Sequence, residues 1–438
     1  MRVEKPRSRA LPARTLAACI ACALFAGEHA VAEIEYGVGA GVGYSDNILR
    51  SDRNEIEETI GIATADLTWL ERTRRLDADV TVNLSYFEYL DDTVESEVFG
   101  RADGLVVVGL VPERFTWLFQ DSFGQVQSDP FLPSTPETRE NLNYFTTGPD
   151  ITLRFGTSTF SRIYGRYSSV DYEESLLDAE RLGAGLVIGR RLASGELALN
   201  GVAEEVTFDE LPDQDFERRH VYLSHSLQGS RTTLSTELGY TWLEMETRET
   251  GGALANVSIS RQVSPSSTVV LSLGTRFTDA SEAMRSGSVQ VGTGGDITAT
   301  ADPFENRSAE LSWRYARNRT TFGLGVSWHD DSYEQQSMFD RTRLAYDLNF
   351  TRGLTPTLQA GFRALYTEEE FETTTYEADE LLLALDLTWR IARTVSLSLT
   401  LDHTSRSAMG DLGEFDENRA YLMVTYRPRG GSAELMRP

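Results

Sequence analysis

The sequence predicts an all-β protein: a transmembrane antiparallel up-and-down β-barrel of about 20 strands, with 18 as the alternative count. Three observations predict it. Apolar and polar residues alternate along most of the chain, the period-2 pattern of a strand with two unlike faces. The alternating runs are ~11–15 residues long, against ~5–6 for strands of ordinary globular domains, and a tilted membrane-spanning strand needs ~9–11. The connections alternate between short and long, which is the layout of an outer-membrane barrel with turns in the periplasm and loops outside.

The chain has 438 residues and is 40% hydrophobic, with a formal net charge of −26 and a mean hydropathy of −0.31. Its one long apolar run, 16–27, is too short for a bundle of membrane helices. That run follows Arg2, Lys5, Arg7, Arg9 and Arg14 and precedes Ala30-Val31-Ala32. A basic region, a short apolar core and a small-x-small site read as a secretory signal peptide, 1–32, cut after Ala32. Both cysteines, Cys19 and Cys22, fall inside it, so the mature chain is expected to hold no disulfide, thiolate metal site or cysteine nucleophile. Segment 1–32 carries five basic and two acidic residues, leaving 36 basic against 65 acidic. That balance excludes the basic footprint of a nucleic-acid binder. Large apolar residues are too abundant for wholesale disorder.

From residue 33 the strands follow in order. In the first, Tyr36, Val38, Ala40, Val42 and Tyr44 interleave with Gly37, Gly39, Gly41 and Gly43. Leu76, Ala78, Val80, Val82, Leu84 and Tyr86 then oppose Asp77, Asp79, Thr81, Asn83 and Ser85. Leu344, Tyr346, Leu348 and Phe350 oppose Arg343, Asp347, Asn349 and Thr351. Leu381, Leu383, Leu385, Leu387 and Trp389 alternate with Asp386, Thr388 and Arg390, and Val395, Leu397, Leu399 and Leu401 with Ser396, Ser398, Thr400 and Asp402. Segments 141–155 and 158–171 carry the weakest pattern, because Gly148 and Pro149 interrupt one and Arg162 and Arg166 blur the other.

Hairpins begin near residues 34, 75, 114, 159, 196, 232, 268, 320, 356 and 395. Their spacing of about 40 gives ten hairpins in domain 33–428, with a short tail at 429–438 and both ends in the periplasm. Propeller blades share that period but need four short strands per repeat. Short connections rich in Gly, Ser, Pro and Arg fall at 72–74, 112–114, 156–158, 193–195, 229–231, 264–266, 317–319, 352–354 and 392–394. Long connections are read at 91–97, 204–217, 280–306, 367–380 and 406–417. Segment 367–380 carries seven acids and no base. Aromatic residues gather at both membrane interfaces of such a barrel. Trp69, Trp117, Phe155, Phe350, Trp389 and Tyr426 stand by the short turns, and Tyr44, Tyr89, Trp242, Phe277, Trp328 and Tyr366 by the long loops.

The last strand, with Ala420, Leu422, Val424 and Tyr426 on one face, resembles the C-terminal signature by which the barrel-assembly machinery recognises outer-membrane barrels. Gly41-Val42-Gly43-Tyr44-Ser45-Asp46-Asn47-Ile48, then 74–80, then Leu84-Ser85-Tyr86-Phe87-Glu88-Tyr89, resemble the start of the Putative β-barrel porin 2 group. Within it they look like the outer-membrane barrels associated with exosortase (PEP-CTERM) and exopolysaccharide gene sets. The resemblance implies a porin-like barrel of a Gram-negative outer membrane, with polysaccharide-export components among its partners, and carries over no catalytic residue.

The lumen-facing candidates are Asp77, Asp79, Arg276, Glu310, Arg314, Arg343, Asp347, Arg363, Asp386, Arg390 and Asp402. In a wide, wet lumen such residues knit the wall across strands and set the field on a passing solute. Being mixed in sign, they announce no ion preference. The acidic loops lack EF-hand spacing, so no metal site and no cofactor are expected. They form a solvated rim facing lipopolysaccharide, whose anionic surface divalent ions would bridge to them. For an enzyme the sequence offers only His329 and Asp331 together. His225 and His403 fall on apolar faces, and no Walker A, Gly-x-Ser-x-Gly or His-Glu-x-x-His motif occurs. The expectation is therefore a non-enzymatic, porin-like channel linked to export of an exopolysaccharide or other surface polymer. The alternatives are an assembly component of such a system, plugged by the connection 282–306, and an outer-membrane hydrolase.

Overall fold

The computed structural model describes residues 33–246, 248–286, 297–374, 376–409 and 413–428. The expected signal segment with its cleavage site and the tail 429–438 lie outside the described residues. The strands are β1 (Glu33–Ser45), β2 (Glu58–Arg72), β3 (Leu76–Tyr89), β4 (Glu97–Val111), β5 (Phe115–Gln127), β6 (Arg139–Phe155) and β7 (Thr159–Tyr172). They continue with β8 (Ala179–Leu192), β9 (Gly195–Phe208), β10 (Phe216–Gln228), β11 (Thr232–Met245), β12 (Arg248–Ser264) and β13 (Ser267–Thr278). The last are β14 (Phe304–Arg317), β15 (Thr320–Tyr333), β16 (Arg341–Gly353), β17 (Leu358–Phe371), β18 (Glu377–Arg390), β19 (Val395–Ala408) and β20 (Phe415–Tyr426). A short helix, α1 (Ala280–Ser286), follows β13.

Each strand pairs antiparallel with its sequence neighbours, and β1 pairs with β20 from Val38↔Tyr426 to Ser45↔Arg419. The sheet is thus a closed 20-stranded barrel with no free edge, as lipid requires of a spanning sheet. The two segments of weakest pattern are both strands, which removes the alternative of 18. Pro149 lacks an N–H, and the β6–β7 ladder breaks between Thr147↔Tyr167 and Asp150↔Tyr164. Arg166 patches the gap: its guanidinium donates to the carbonyls of Pro149 (3.3 Å) and Gly165 (2.7 Å) and to Asp150 (2.6 Å). The arginine that blurs the sequence pattern is the repair of the ladder.

Register sorts the two faces. Tyr36, Val38, Val42 and Tyr44 point outward and are exposed, as are Leu385, Leu387 and Trp389 of β18. The β1 glycines point inward, where the β20 side chains lie across them. A Cβ on Gly43 would sit 2.6 Å from the Tyr421 ring. The glycine run therefore lets the first strand close against the last.

At the turn end the connections are tight; Asn318 takes a left-handed φ of 55° in one of them. At the loop end the strands run further than the sequence suggested. The connection read at 367–380 is only 372–376, so Glu368–Glu370, Glu377, Asp379 and Glu380 stand on strand ends. Two aromatic assignments change as well. Tyr89 faces inward, buried with Ile60 and Phe87, and Tyr86 stands on the outer face beside it. Phe277 is buried in the main cluster inside the mouth.

Candidate functional site

The functional region is the loop end, where two connections fold into the mouth from opposite walls. The first joins β13 to β14. It begins with Asp279 and α1, whose Ala280, Ser281, Ala283 and Met284 are buried. Met284 packs against Gly124 of β5, where a Cβ would sit 3.3 Å from its sulfur. Arg285 lies over the Tyr144 ring of β6, 5.3 Å from its centroid. α1 therefore reaches from β13 to strands on the far side of the barrel.

Ion pairs hold it there. Arg181 of β8 bonds Asp279 and, at 2.8 Å, the Ser281 hydroxyl. Arg218 of β10 bonds Glu282 and, at 2.6 Å, Glu204 of β9, and lies 3.6 Å from Asp279. Both guanidinium groups are almost wholly buried. Burial alone would raise the carboxyls of Asp279 and Glu282. Arg181 and Arg218 beside Asp279 outweigh it, as do Arg218 and Arg285 beside Glu282, and both groups are held below the ordinary carboxylate range.

The second connection, residues 128–138, joins β5 to β6 and crosses the other way. The Phe131 ring lies 4.7 Å from Phe371 and 5.6 Å from Tyr376, at the ends of β17 and β18. The Tyr376 hydroxyl donates to the Phe131 carbonyl at 2.6 Å, and Arg50 donates to the Ser134 carbonyl at 2.9 Å. The two connections meet over the lumen. Gln127 N–H donates to the Ile297 carbonyl at 2.9 Å, and Ala299 N–H donates to the Gln127 carbonyl at 2.8 Å.

Carboxylates also fasten three of the loops to the next one along the chain. Glu58 accepts from the backbone N–H of Asp91 (2.9 Å) and Thr93 (3.3 Å). Glu140 accepts from Glu174 (3.0 Å) and Ser175 (2.8 Å), and Asp302 from Gln335 (2.9 Å) and Gln336 (2.7 Å). Asp178, Asp215 and Asp340 do the same within a hairpin, accepting the N–H of Tyr172, Phe208 and Tyr333 at 2.7–2.8 Å. Part of the acidic rim thus satisfies strand-end amides.

Below the first connection lies a cavity of about 230 Å³ lined by Arg276, His329, Asp331, Arg341, Arg343 and residues of α1. Arg276 and Arg343 are therefore together at the mouth. Asp331 is held by Asn306 (2.6 Å) and by Arg341 (3.5 Å), and His329 lies 3.7 Å from Glu310. Asp347 and Arg363 face each other at 3.7 Å, Asp386 accepts from Thr400 at 3.0 Å, and Asp402 lies 3.7 Å from Arg419. Asp77 and Asp79 stand on the inward row of β3, Arg314 on that of β14 and Arg390 on that of β18. The sequence reading missed Arg181, Glu204, Arg218 and the connection 128–138. Its available signals were two arginines in the inward phase of β8 and β10, and Phe131 set between Pro130 and Pro133.

No curated protein sequence matches the chain. Among solved structures, the ferric enterobactin receptor PfeA of Pseudomonas aeruginosa is similar at a TM-score of 0.48 and 11% identity, over 91% of this chain and 81% of that one. A BenF-like porin of Pseudomonas fluorescens Pf-5 is similar at 0.39 and 13%, over 90% and 98%. OccK2 (OpdF) of Pseudomonas aeruginosa, in complex with glucuronate, gives 0.39 and 11%, also over 90% and 98%. The family model described as Putative beta-barrel porin 2 matches residues 266–428. The resemblance quoted for 41–89 names the same group, but the match lies on the other half of the chain. The stretch that this model matches holds β13–β20, so the last eight strands of the closed 20-stranded barrel are what is similar to that family.

Proposed function

We propose that the protein is a channel of the outer membrane whose mouth is narrowed by two in-folded connections, and that it serves export of an exopolysaccharide or another surface polymer. The observation that carries the channel reading is the mouth itself: two connections from opposite walls, joined to one another at Gln127 and docked on buried arginines, inside a 20-stranded barrel wide enough for an aqueous lumen. The polymer is supported by the likeness of 41–48 and 84–89 to barrels of exopolysaccharide gene sets. In planar bilayers the wild type is expected to conduct in small steps, and deletion of 280–302 to enlarge them. Silence from both proteins would remove the channel.

The bridge at Gln127 also favours a second reading, a closed barrel serving assembly of a surface polymer. A silent wild type with a conducting deletion variant would select it. Against the hydrolase reading stand the other partners of its pair, Asn306 and Arg341 on Asp331 and Glu310 beside His329, although both residues line the mouth cavity. Intact activity and phenotype in His329→Ala would close it.

A further inference from the structure

The outer face of the barrel carries arginines at both ends, in unlike company. At the loop end Arg219 pairs with Glu217 and, at 3.5 Å, Glu244, and Arg307 pairs with Glu305 (2.7 Å) and Asp330 (3.6 Å). At the turn end the outward rows of β8, β12 and β16 carry Arg190, Arg261 and Arg352, all exposed. Each has an apolar residue two positions to either side: Ile188 and Leu192, Ile259 and Val263, Phe350 and Leu354. A guanidinium flanked in this way lies at the lipid boundary, its stem along apolar surface and its head among lipid headgroups.

The three sites share one register, four strands apart around the barrel. Each arginine stands opposite the first residue of a neighbouring strand, and that residue is a threonine. Thr159 of β7 faces Arg190, Thr232 of β11 faces Arg261, and Thr320 of β15 faces Arg352. Further guanidinium groups gather at two of them. Arg231 and Arg319 immediately precede Thr232 and Thr320, and Arg317 of β14 stands on the other side of Thr320. Among the described residues none of these arginine or threonine side chains makes an ion pair or a hydrogen bond. Like charges gathered at a strand end repel one another, and an anion between them removes the repulsion. A guanidinium fork matches two oxygens of a phosphate, and a threonine hydroxyl can donate to one more.

We infer that each of these Arg–Thr pairs holds the phosphate of an anionic glycerophospholipid in the membrane leaflet on the turn side, the periplasmic leaflet of an outer membrane. The outward direction and the apolar flanks select a lipid over a soluble polyanion. The lack of a paired carboxylate selects a net anionic headgroup over a zwitterionic one, whose ammonium would meet only more positive charge. This inference is independent of whether the lumen conducts.

Purified protein in mild detergent can be offered equimolar phosphatidylglycerol and phosphatidylcholine and read by native mass spectrometry. It is expected to keep three phosphatidylglycerol molecules, each favoured over phosphatidylcholine by about fivefold, and to lose that preference as salt is raised. Arg190→Gln, Arg261→Gln and Arg352→Gln are each expected to release one lipid, and the triple variant all three. The triple variant Arg190→Lys, Arg261→Lys and Arg352→Lys keeps the charge and is expected to keep most of the preference. Arg219→Gln with Arg307→Gln, on the same face at the loop end, is expected to change nothing. Equal retention of the two lipids by the wild type, a preference untouched by the triple glutamine variant, or one lost equally in the loop-end variant would each overturn the inference. So would dextran sulfate bound through the same three arginines in a protein with no phosphatidylglycerol preference, which would give them to a soluble polyanion.

Discussion

At the turn end of the barrel, strands are joined by a few residues and charges meet in the open. Arg154 and Glu113 pair at 2.6 Å with both side chains about half exposed, and Arg72 lies 4.0 Å from a still more exposed Asp77. At the loop end the same residue types pair out of water, with Arg181 and Arg218 each 3% exposed. Exposed pairs contribute ~0–1 kcal/mol, whereas removing one partner of a buried pair costs about 3–5 kcal/mol. The turn end is held mainly by its backbone ladder, with local pairs such as Arg427 and Asp66 at 3.3 Å beside it. The loop end is held by side chains that reach across the lumen, so it is there that one substitution can change the shape of the molecule.

The largest effect is expected from Arg218→Ala, which strands Glu204, Asp279 and Glu282 together. It should release α1 from the wall, destabilise the mouth by about 3–5 kcal/mol, expose the connection to protease and enlarge conductance steps in a bilayer. The same cluster can be broken by acid. Asp279 and Glu282 titrate below their unfolded values, so their stabilisation is complete above the ordinary carboxylate range of about 4 and is lost as pH falls below it. Protease resistance of α1 should stay flat from pH 7 to about 5 and then decline. If it declined near neutrality, the ion pairs would not be what holds the helix.

A smaller effect is expected from Glu140→Ala. Two backbone amides, of Glu174 and Ser175, lose their acceptor at about 1–3 kcal/mol. Accelerated hydrogen exchange confined to that loop would confirm the fastening. The smallest belongs to the turn end, where Arg154→Ala should shift unfolding by under ~1 kcal/mol. A shift as large as that of Arg218→Ala would erase the contrast between the ends.

How legible these ends were in the sequence follows from the range of their interactions. Alternation is local, and it placed every hairpin start within two residues of the observed strand. It also sorted inward from outward along β3, β16, β18 and β19. The mouth depends on partners far apart in the chain: Arg181 meets Asp279 across 98 residues, and Tyr376 meets Phe131 across 245. No window of sequence contains such a pair. Tyr89 and Phe277 were misplaced because nearness to a loop was read as membership of the aromatic belt. Tyr89 lies in the inward phase of β3, and Phe277 is buried beside α1. The acids of the loops read as solvated charge because a carboxylate that caps an amide looks, in sequence, like one that does not.

Glu58, Glu140 and Asp302 bear on how such a barrel can grow. Each is carried at the end of one hairpin and accepts its bonds from the loop of the next, 33 to 35 residues further on. A single hairpin gained, lost or exchanged would leave an acceptor without donors, or bare amides without an acceptor. A block of two hairpins moves with both halves intact. The heritable unit of this rim is therefore a four-stranded segment, and natural variation in strand number should come in fours wherever one of these carboxylates is kept.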